Sequence, residues 1–372
     1  MNTHQSKFQT ALHVMPGVEG GHDGLPNQKT HTRKSKSPET QRLALKTQEY
    51  VEGILSGDRT RLARAITLIE SNSTSHFAQA QDVLMSILPK TGGSIRIGIT
   101  GVPGAGKSTF IEAFGSYLIG LGKKIAVMAV DPSSTVTGGS ILGDKTRMER
   151  LAANSMAFIR PSPSGGALGG VARKTRETLL VFEAAGYDVV LVETVGVGQS
   201  ETTVRSMVDF FLLVLVPGAG DELQGIKKGV VELADAILIN KADGANIIPA
   251  QTARIEYERA LHYLRPATEG WQTIAMTASA LTAEGIPQVW ENIQNFVKST
   301  KSSGAFKKRR QVQDRDWVRA MVENHLLERF YANHEIRRLL PVVDNAVMNG
   351  EMPAATAAQK LLEAFDTRGA DK

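Results

Sequence analysis

The sequence has 372 residues, of which 42% are hydrophobic and 22% are charged, and its formal net charge at pH 7 is +5. This composition is typical of a globular chain with one large domain and an appendage, and the small positive charge favours a nucleic-acid surface only weakly. Because the sequence contains no cysteine, it excludes disulfides, thiolate metal sites and cysteine nucleophiles.

The sequence lacks the patterns of export and membrane insertion. No apolar run approaches the ~20 residues needed to span a bilayer, and the first residues lack the basic-then-apolar layout of a secretory signal. Residues 1–37 contain a single arginine, whereas a transit peptide is arginine-rich. We therefore predict a cytoplasmic protein that binds neither membranes nor nucleic acids.

The first ninety residues divide into two predicted segments. Residues 1–40 are rich in Gly, Gln, Thr, His, Ser and Lys and poor in large apolar side chains, so we predict a flexible extension. Residues 41–90 have helical apolar spacing and form a predicted N-terminal helical segment. Asp58 is a candidate N-cap for its second helix, and a third helix is predicted over 75–88. The first helix presents one apolar face, made of Leu43, Tyr50, Ile54 and Leu55.

The central region, residues 91–298, alternates short apolar runs with helical stretches. Seven runs are rich in β-branched residues and nearly continuous in apolar character, which is typical of strands buried on both faces. We predict an α/β fold with a mostly parallel, doubly wound sheet, as in P-loop NTPases. The runs are SIRIGIT (94–100), KIAVMAV (124–130), MAFIR (156–160), DVVLVET (188–194), DFFLLVLV (209–216), DAILIN (235–240) and QTIAMTAS (272–279).

The C-terminal region, residues 299–372, is predicted to be helical. It opens on the basic polar stretch KSTKSSGAFKKRR (298–310), which we interpret as a link. A long helix is predicted from Val312 to Leu340, and a last helix follows Pro353.

The segment GVPGAGKST fits the G-x-x-x-x-G-K-[ST] pattern of a phosphate-binding P-loop, between a predicted strand and a predicted helix. Glycine lets successive N–H groups point into one concavity, and the helix adds its positive end. We predict that Lys107 reaches the β- and γ-phosphates, that Ser108 binds Mg²⁺, and that Thr109 contacts the α-phosphate. The backbone around the phosphates is that of Gly101, Val102, Pro103, Gly104, Ala105 and Gly106.

The sequence NKAD (240–243) begins at the last residue of the run DAILIN, and it predicts which nucleotide base the protein binds. The Asp243 carboxylate can accept from the ring N–H and the exocyclic amine of guanine, whereas adenine offers no amine there. Two charge-assisted bonds at roughly 1.5–3 kcal/mol each favour guanine by a factor on the order of 10²–10⁴. Lys241 is expected to pack along the base, and Asn240 to tie this loop to the P-loop. Ser279 and Ala280 lie where a backbone amide can read guanine O6.

Three carboxylates are candidate partners of Mg²⁺ beside Ser108. Glu193 ends a predicted strand in the first position of a D-x-x-G-like segment, and it can present an oxygen through a water. Asp131 follows another strand at the edge where open α/β sheets bind ligands, or it caps the next turn. Asp144 lies in a loop long enough to move, or it is a solvated charge; Arg147 in the same loop can reach phosphate.

Gly196 and Gln199, which follow Glu193 in the sequence, are candidates for catalysis. The N–H of Gly196 can meet the γ-phosphate, and Gln199 can orient the attacking water or simply begin a helix. Since no arginine is clearly placed as a finger, intrinsic hydrolysis is expected to be slow and stimulated by a partner. Residues 160–170 can line the active site or a dimer contact, and 216–229 form a third mobile loop or a plain connector.

The assembled motifs resemble those of the MeaB/ArgK family of P-loop GTPases, which includes the methylmalonic aciduria type A protein. The resemblance covers roughly residues 43–340. It implies a homodimeric GTPase that assists adenosylcobalamin-dependent methylmalonyl-CoA mutase. GTP binding and hydrolysis would gate cofactor delivery from the adenosyltransferase and protect or reactivate the mutase. The pieces, in family order, are GVPGAGKST, VDPSS, GDKTRM, ETVGVGQSE, PGAGDELQGIKKG and NKAD.

The resemblance also implies roles for individual residues. Asp131, Asp144 and Glu193 belong to the magnesium region, and GTP or GDP binds to the P-loop and the guanine motif. Residues 221–228 resemble the third switch, which couples the nucleotide state to the mutase. The C-terminal helices resemble the family's dimerisation arm.

Two other functions fit parts of the pattern. A kinase that moves the γ-phosphate to a protein or small molecule is the main alternative, although the guanine motif and the glycine-rich loops favour a GTPase. A metallochaperone GTPase of the hydrogenase or urease type would carry a Cys/His metal motif, and the chain has no cysteine. Methylmalonyl-, ethylmalonyl- and isobutyryl-CoA mutases are equally compatible clients.

Overall fold

The structure is a computed structural model that describes residues 45–130, 148–161, 168–194, 200–218 and 228–366. The predicted extension at 1–40 lies outside these ranges, as do the predicted site residues Asp131, Asp144, Gly196 and Gln199. Within the described ranges, no helix is both long and apolar enough to cross a bilayer.

Seven parallel strands form one sheet in the order β3-β2-β4-β1-β5-β6-β7. All seven predicted runs form strands, so the predicted α/β class and parallel sheet are confirmed. Because every strand points the same way, all their carboxyl ends meet at one edge of the sheet. The strands are β1 (Ile95–Gly101), β2 (Ile125–Val130), β3 (Ala157–Arg160), β4 (Val189–Thr194), β5 (Phe210–Leu215), β6 (Ala236–Ile239) and β7 (Ile274–Thr277).

Helices cover both faces of this sheet. The helices of the described residues, including those that do not touch the sheet, are α1 (Thr47–Leu55), α2 (Arg59–Ile69), α3 (Thr74–Ile87), α4 (Lys107–Gly120), α5 (Glu149–Ala153), α6 (Leu168–Ala184), α7 (Ser200–Arg205), α8 (Lys228–Leu233), α9 (Ile247–Leu261), α10 (Ile286–Ser302), α11 (Ala305–Ala332), α12 (His334–Met348) and α13 (Ala354–Asp366).

The core divides between the two faces because successive strand residues point to opposite sides. Ile97 and Ile99 of β1 pack with α4 and α10, in a cluster that includes Phe110, Phe114 and Phe296. Phe211 of β5 points the other way, into a cluster shared by α1, α2, α3, α6 and α7. A third cluster joins β5, β6 and α9. The sheet is therefore buried on both sides, as its apolar strands require.

The N-terminal helices pack against the sheet domain through α6. Ile54, Leu62 and Ile87 are fully buried in the same cluster as Phe182 of α6. Asp58 caps α2 as predicted, because its carboxylate accepts from the amides of Thr60 and Arg61. The predicted apolar face of α1 is wrong at Leu55, which is 44% exposed.

The C-terminal region departs from the sequence prediction in two places. The basic stretch 298–310 is not a link, since α10 continues to Ser302 and α11 begins at Ala305. The helix predicted from Val312 to Leu340 is two helices, because Asn333 ends α11 and its side chain caps α12. The helix predicted after Pro353 is present as α13.

The arginines of this basic stretch enter a buried ionic cluster at the amino edge of the sheet, where the strands begin. The amino-edge cluster consists of Glu183, Asp209, Asp235, Arg96, Arg205, Arg309 and Arg310. Arg310 binds both Asp209 oxygens at 2.6 and 2.7 Å. Arg309 and Arg205 share Asp235 at 3.2 and 3.5 Å. The acid side chains are at most 1% exposed, so each depends on its arginines for neutralisation.

Two acids of this cluster also bind the backbone of a neighbouring strand, and a third acid outside it binds the residue just before one. Each lies immediately before a strand. Asp209 accepts from the amide of Arg96 at 2.8 Å, and Asp235 accepts from the amide of Phe211 at 2.9 Å. Asp188 accepts from the amide of Lys124 at 2.8 Å. These bonds connect the starts of β4, β5 and β6 to the strands beside them.

Asp235→Asn is expected to lower the free energy of unfolding by about 3–5 kcal/mol, because it leaves two buried guanidinium groups without their carboxylate. Urea denaturation of the full chain measures this loss. Glu269→Gln is the matched control, since Glu269 pairs with Lys308 where both side chains are exposed; it should cost less than about 1 kcal/mol. Equal effects of the two substitutions would contradict the role assigned to the buried pair.

Candidate nucleotide-binding site

The predicted P-loop lies between the carboxyl end of β1 and the start of α4, as the motif requires. Gly104 and Gly106 have φ of 79° and 81°, a left-handed backbone that favours glycine. A Cβ on Gly101 would lie 1.9 Å from the carbonyl oxygen of Val214 in β5. Gly104 and Gly106 therefore allow the turn of the loop, and Gly101 allows β1 and β5 to approach closely where the loop begins.

Lys107 begins α4 and turns its ammonium back over the loop. Its Nζ donates to the carbonyl oxygens of Gly101 at 2.8 Å and Val102 at 3.3 Å. Burial lowers the pKa of Lys107, while attraction by Glu193 and Glu201 acts in the opposite direction. A desolvated ammonium beside a bare loop is suited to binding phosphate oxygens.

Ser108 and Glu193 are brought together from different elements. The Ser108 hydroxyl on α4 donates to Oε1 of Glu193, the residue before the last of β4, over 3.0 Å. Glu193 pairs in register with Ile99 of β1, which places it directly beside the P-loop strand. Behind them the hydroxyl of Thr194 donates to that of Thr100 at 2.9 Å, joining the ends of β4 and β1.

The Ser108–Glu193 pair fits a magnesium site of the kind that phosphate completes. A hydroxyl and a carboxylate are oxygen ligands of the kind that Mg²⁺ takes in proteins, and the two side chains lie side by side. No group of three or more His, Cys, Asp or Glu with metal-site geometry occurs among the described residues. Mg²⁺ does not require one, because it is commonly held by one or two carboxylates plus substrate phosphates.

The guanine motif is connected to the P-loop by the side chain of Asn240. Its Nδ2 donates to the carbonyl of Ala105 at 2.8 Å, and its Oδ1 accepts from the amide of Ala280 at 3.1 Å. Asn240 is 1% exposed, so both ends of its amide are used in a buried position. The predicted link between the two loops is therefore present.

The two other residues of the motif face outward from this link. Asp243 accepts a hydrogen bond from the Ser279 hydroxyl, which orients the carboxylate. Lys241 is exposed and has φ of 59°, an uncommon backbone for a side chain of its size. Its Cε would lie 3.8 Å from a Cβ on Gly106, so its stem runs beside the P-loop.

The two amides predicted to read guanine O6 are already hydrogen-bonded within the protein. The Ser279 amide donates to the carbonyl of Glu284 at 2.9 Å, and the Ala280 amide donates to Asn240. Guanine O6 would therefore have to share one of these donors. The roles of all the site residues in binding remain predictions, including those of Val102, Pro103 and Thr109.

The structure also places near the P-loop an acid to which the sequence analysis gave no role. Glu201 lies in α7, is 1% exposed, and interacts electrostatically with Lys107. The sequence shows only that Glu201 is an acidic residue two positions after Gln199. The predicted partners Asp131, Asp144, Gly196 and Gln199 are outside the described residues, as is the loop 221–227.

Comparison with known proteins identifies similar sequences over most of the chain. A family model described as methylmalonyl Co-A mutase-associated GTPase MeaB matches residues 62–335. A putative GTPase of Caulobacter vibrioides is 54% identical over 312 residues, which cover 84% of this chain and 95% of that protein. GTPase ArgK of Escherichia coli is 49% identical over 320 residues, covering 86% and 97%.

A mitochondrial protein and a crystal structure extend the comparison. The methylmalonic aciduria type A homolog of Mus musculus is 43% identical over 346 residues, covering 88% of this chain and 83% of that protein. The crystal structure of an LAO/AO transport system kinase is 42% identical and has a TM-score of 0.71. It covers 86% of this chain and 97% of that one. The chain is therefore similar to that crystal structure in fold, and to the three curated relatives in sequence over more than four fifths of its length.

Asp243→Asn is expected to weaken GTP binding by about 100-fold or more, because an amide loses the charge-assisted bonds to guanine. Xanthine carries an oxygen where guanine has its amine, so the new amide can donate to it. XTP binding should therefore weaken less than GTP binding, or improve. Competition of GTP and XTP for a fluorescent GDP analogue measures the change. An unchanged GTP-to-XTP ratio would count against Asp243 as the base-reading residue.

Proposed function

Because the chain belongs to the MeaB family of GTPases, we propose that it uses GTP binding and hydrolysis to assist an adenosylcobalamin-dependent acyl-CoA mutase. Methylmalonyl-CoA mutase is the proposed client. In this proposal the GTPase cycle gates cofactor loading from the adenosyltransferase and protects or reactivates the mutase. The protein would act in the cytoplasm, without nucleic-acid or membrane partners.

The observation that carries the GTPase function is the buried bond between Asn240 and the P-loop carbonyl of Ala105. It holds a phosphate-binding loop and a guanine-type motif in one rigid unit, as a guanine nucleotide requires. The mutase as client is supported by the family model, which matches residues 62–335, and by the relative called a methylmalonic aciduria type A homolog.

The chemistry proposed for this site is hydrolysis assisted mainly by positioning and charge. Lys107 would release the carbonyls of Gly101 and Val102 and bind the β- and γ-phosphates. Ser108 and Glu193 would hold Mg²⁺, which neutralises charge on the phosphate oxygens. Gln199 would orient the attacking water, and Gly196 would contact the γ-phosphate through its N–H. Asp131 and Asp144 are proposed to complete the metal region.

The proposed assembly is a homodimer formed through the C-terminal arm. Val318, Val322 and Leu326 of α11 are spaced four residues apart and lie on one side of the helix. They are 55%, 54% and 52% exposed, so this stripe is apolar and faces outward. A second copy of the arm is the proposed cover for it, in agreement with the dimerisation arm that the family resemblance implies.

Methylmalonyl-CoA mutase should lose activity more slowly during turnover when this protein and GTP are both present than when either is omitted. Lys107→Ala removes the ammonium that contacts the phosphates, so it should abolish GTP hydrolysis and this protection together. The measurements are mutase activity over time and the fate of label from γ-labelled GTP. Label released as inorganic phosphate supports the GTPase; label on an acceptor would instead favour the kinase alternative. Normal hydrolysis by Lys107→Ala would contradict the P-loop assignment.

Val322→Lys is expected to convert the proposed dimer to monomers, because it places a charge in the middle of the apolar stripe. Light scattering coupled to size exclusion gives the mass. Glu328→Lys puts the same side chain on the exposed surface of α11 but outside the stripe, and it should leave the dimer intact. Truncation at Thr300 is a poor test, because it also removes Arg309 and Arg310 from the amino-edge cluster. A dimeric Val322→Lys variant would contradict the proposed interface.

A further inference from the structure

A cavity of about 380 Å³ lies beside the amino-edge cluster, where α6, α7 and α11 meet the segment between α9 and β7. Its volume is large enough for a small ligand. The nucleotide motifs lie at the carboxyl edge of the sheet, so this cavity is separate from the P-loop. The basic side chains in its lining are Arg176, Arg205, Lys308 and Arg309.

The acidic side chains in the lining are already paired with exposed bases. Glu269 lies 3.2 Å from Lys308, and Asp316 lies 2.9 Å from Arg315. All four of these side chains are more than half exposed, so water and salt screen their charges. The electrostatic character of the cavity therefore depends mainly on its three arginines, which are less exposed.

Two of these arginines compete for one carboxylate. Arg205 and Arg309 share Asp235, at 3.5 and 3.2 Å, and each arginine side chain is 13% exposed. The other two acids of the amino-edge cluster are bound by its other two arginines. The cluster thus has four guanidinium groups and three carboxylates, and it carries an excess positive charge next to the cavity.

Arg176 adds a further positive charge to the wall of the cavity. It donates to the carbonyl and hydroxyl oxygens of Ser206 at 2.7 and 2.8 Å, and it stacks 4.8 Å from the ring centroid of Trp317. In the described part of the chain, no carboxylate lies within ion-pair distance of Arg176, and its Nε has no hydrogen-bond partner. Burial lowers the pKa of Arg176 to about 10, and the charge of Arg96 acts in the same direction, while two exposed aspartates of α11 oppose it.

We propose that this cavity binds a small dianion, either free phosphate or the phosphate group of a small ester, against Arg176 and the Arg205–Arg309 pair. The excess of positive charge at the site, one from the cluster and one from Arg176, matches the charge of about −2 on a phosphate group. A guanidinium is suited to it, because its planar N–H donors bind phosphate oxygens in pairs. The long helix α11 also begins here, with its first residue Ala305 in the lining, and its amino-terminal end attracts negative charge.

The test titrates inorganic phosphate into the full chain by calorimetry, at constant ionic strength set with chloride. Mg²⁺ and a slowly hydrolysed GTP analogue are present in excess, so that the P-loop is occupied. We expect saturable binding of one phosphate per chain. Arg176→Met keeps an apolar stem against Trp317 and removes the guanidinium, so it should weaken phosphate binding about tenfold or more.

Arg173→Met is the matched control. Arg173 lies on the same helix and also stacks on an aromatic ring, that of Phe77 at 5.4 Å, but it lies outside the lining of the cavity. Its substitution removes the same charge and should leave phosphate binding unchanged. Absence of saturable binding to the parent protein, or equal binding by the two variants, would overturn the proposal.

A second variant places a negative charge in the cavity without altering any arginine. An acidic residue in the first turn of a helix is favourable, so Ala305→Glu should fold normally, which circular dichroism checks. Its carboxylate should repel the dianion and weaken phosphate binding about tenfold. Parent-like affinity of Ala305→Glu would contradict the assigned site. Glycerol 3-phosphate is titrated in parallel: tighter binding than that of phosphate supports an ester as the ligand, and weaker binding supports the free ion.

Discussion

The buried side-chain amide of Asn240 is the interaction on which the nucleotide site depends. It bonds the carbonyl of Ala105 in the P-loop and the amide of Ala280 beyond the guanine motif. Asn240 and its two partners come from three separate stretches of the chain, and both ends of the buried amide are paired. The approach is close enough that a Cβ on Gly106 would lie 2.8 Å from Nδ2 of Asn240. A side chain at position 106 would thus collide with the asparagine of the base motif.

The electrostatics of the molecule differ between the two edges of the sheet. At the carboxyl edge, Glu193 and Glu201 act on one ammonium, Lys107, and the hydroxyl of Ser108. Lys107 is the group there that is proposed to bind phosphate, and Ser108 and Glu193 are those proposed to hold a metal ion. At the amino edge, arginines from α7 and α11 neutralise acids that are fully buried. Burial lowers the pKa of Arg205 to about 10, which still leaves it charged at neutral pH. The charged groups at the carboxyl edge are thus arranged to exchange partners, whereas those of the amino-edge cluster are permanently paired.

Sequence patterns predicted the strands and the site motifs because these depend on local order. Seven apolar runs became seven strands, and the P-loop and NKAD motifs lie at strand ends as their spacing requires. The basic stretch 298–310 was misread because its meaning depends on partners far away in sequence. Arg310 binds Asp209, and Arg309 binds Asp235, 101 and 74 residues earlier. The break at Asn333 was locally readable, since asparagine is a favoured N-cap. No local pattern could have shown that Glu201 is buried in reach of Lys107.

The aspartates that precede β4, β5 and β6 have a consequence for how the sheet assembles. Parallel strands of repeated Val, Ile and Leu can slide past one another by two residues and still bury apolar side chains on the same faces. Such slippage would separate Asp188 from the Lys124 amide, Asp209 from that of Arg96, and Asp235 from that of Phe211. For Asp209 and Asp235 it would remove the amide donor from a buried carboxylate that its arginines also bind. Each acid thus makes a shifted pairing of its strand less stable than the observed one. The loops at the other ends of the strands are placed correctly as a result.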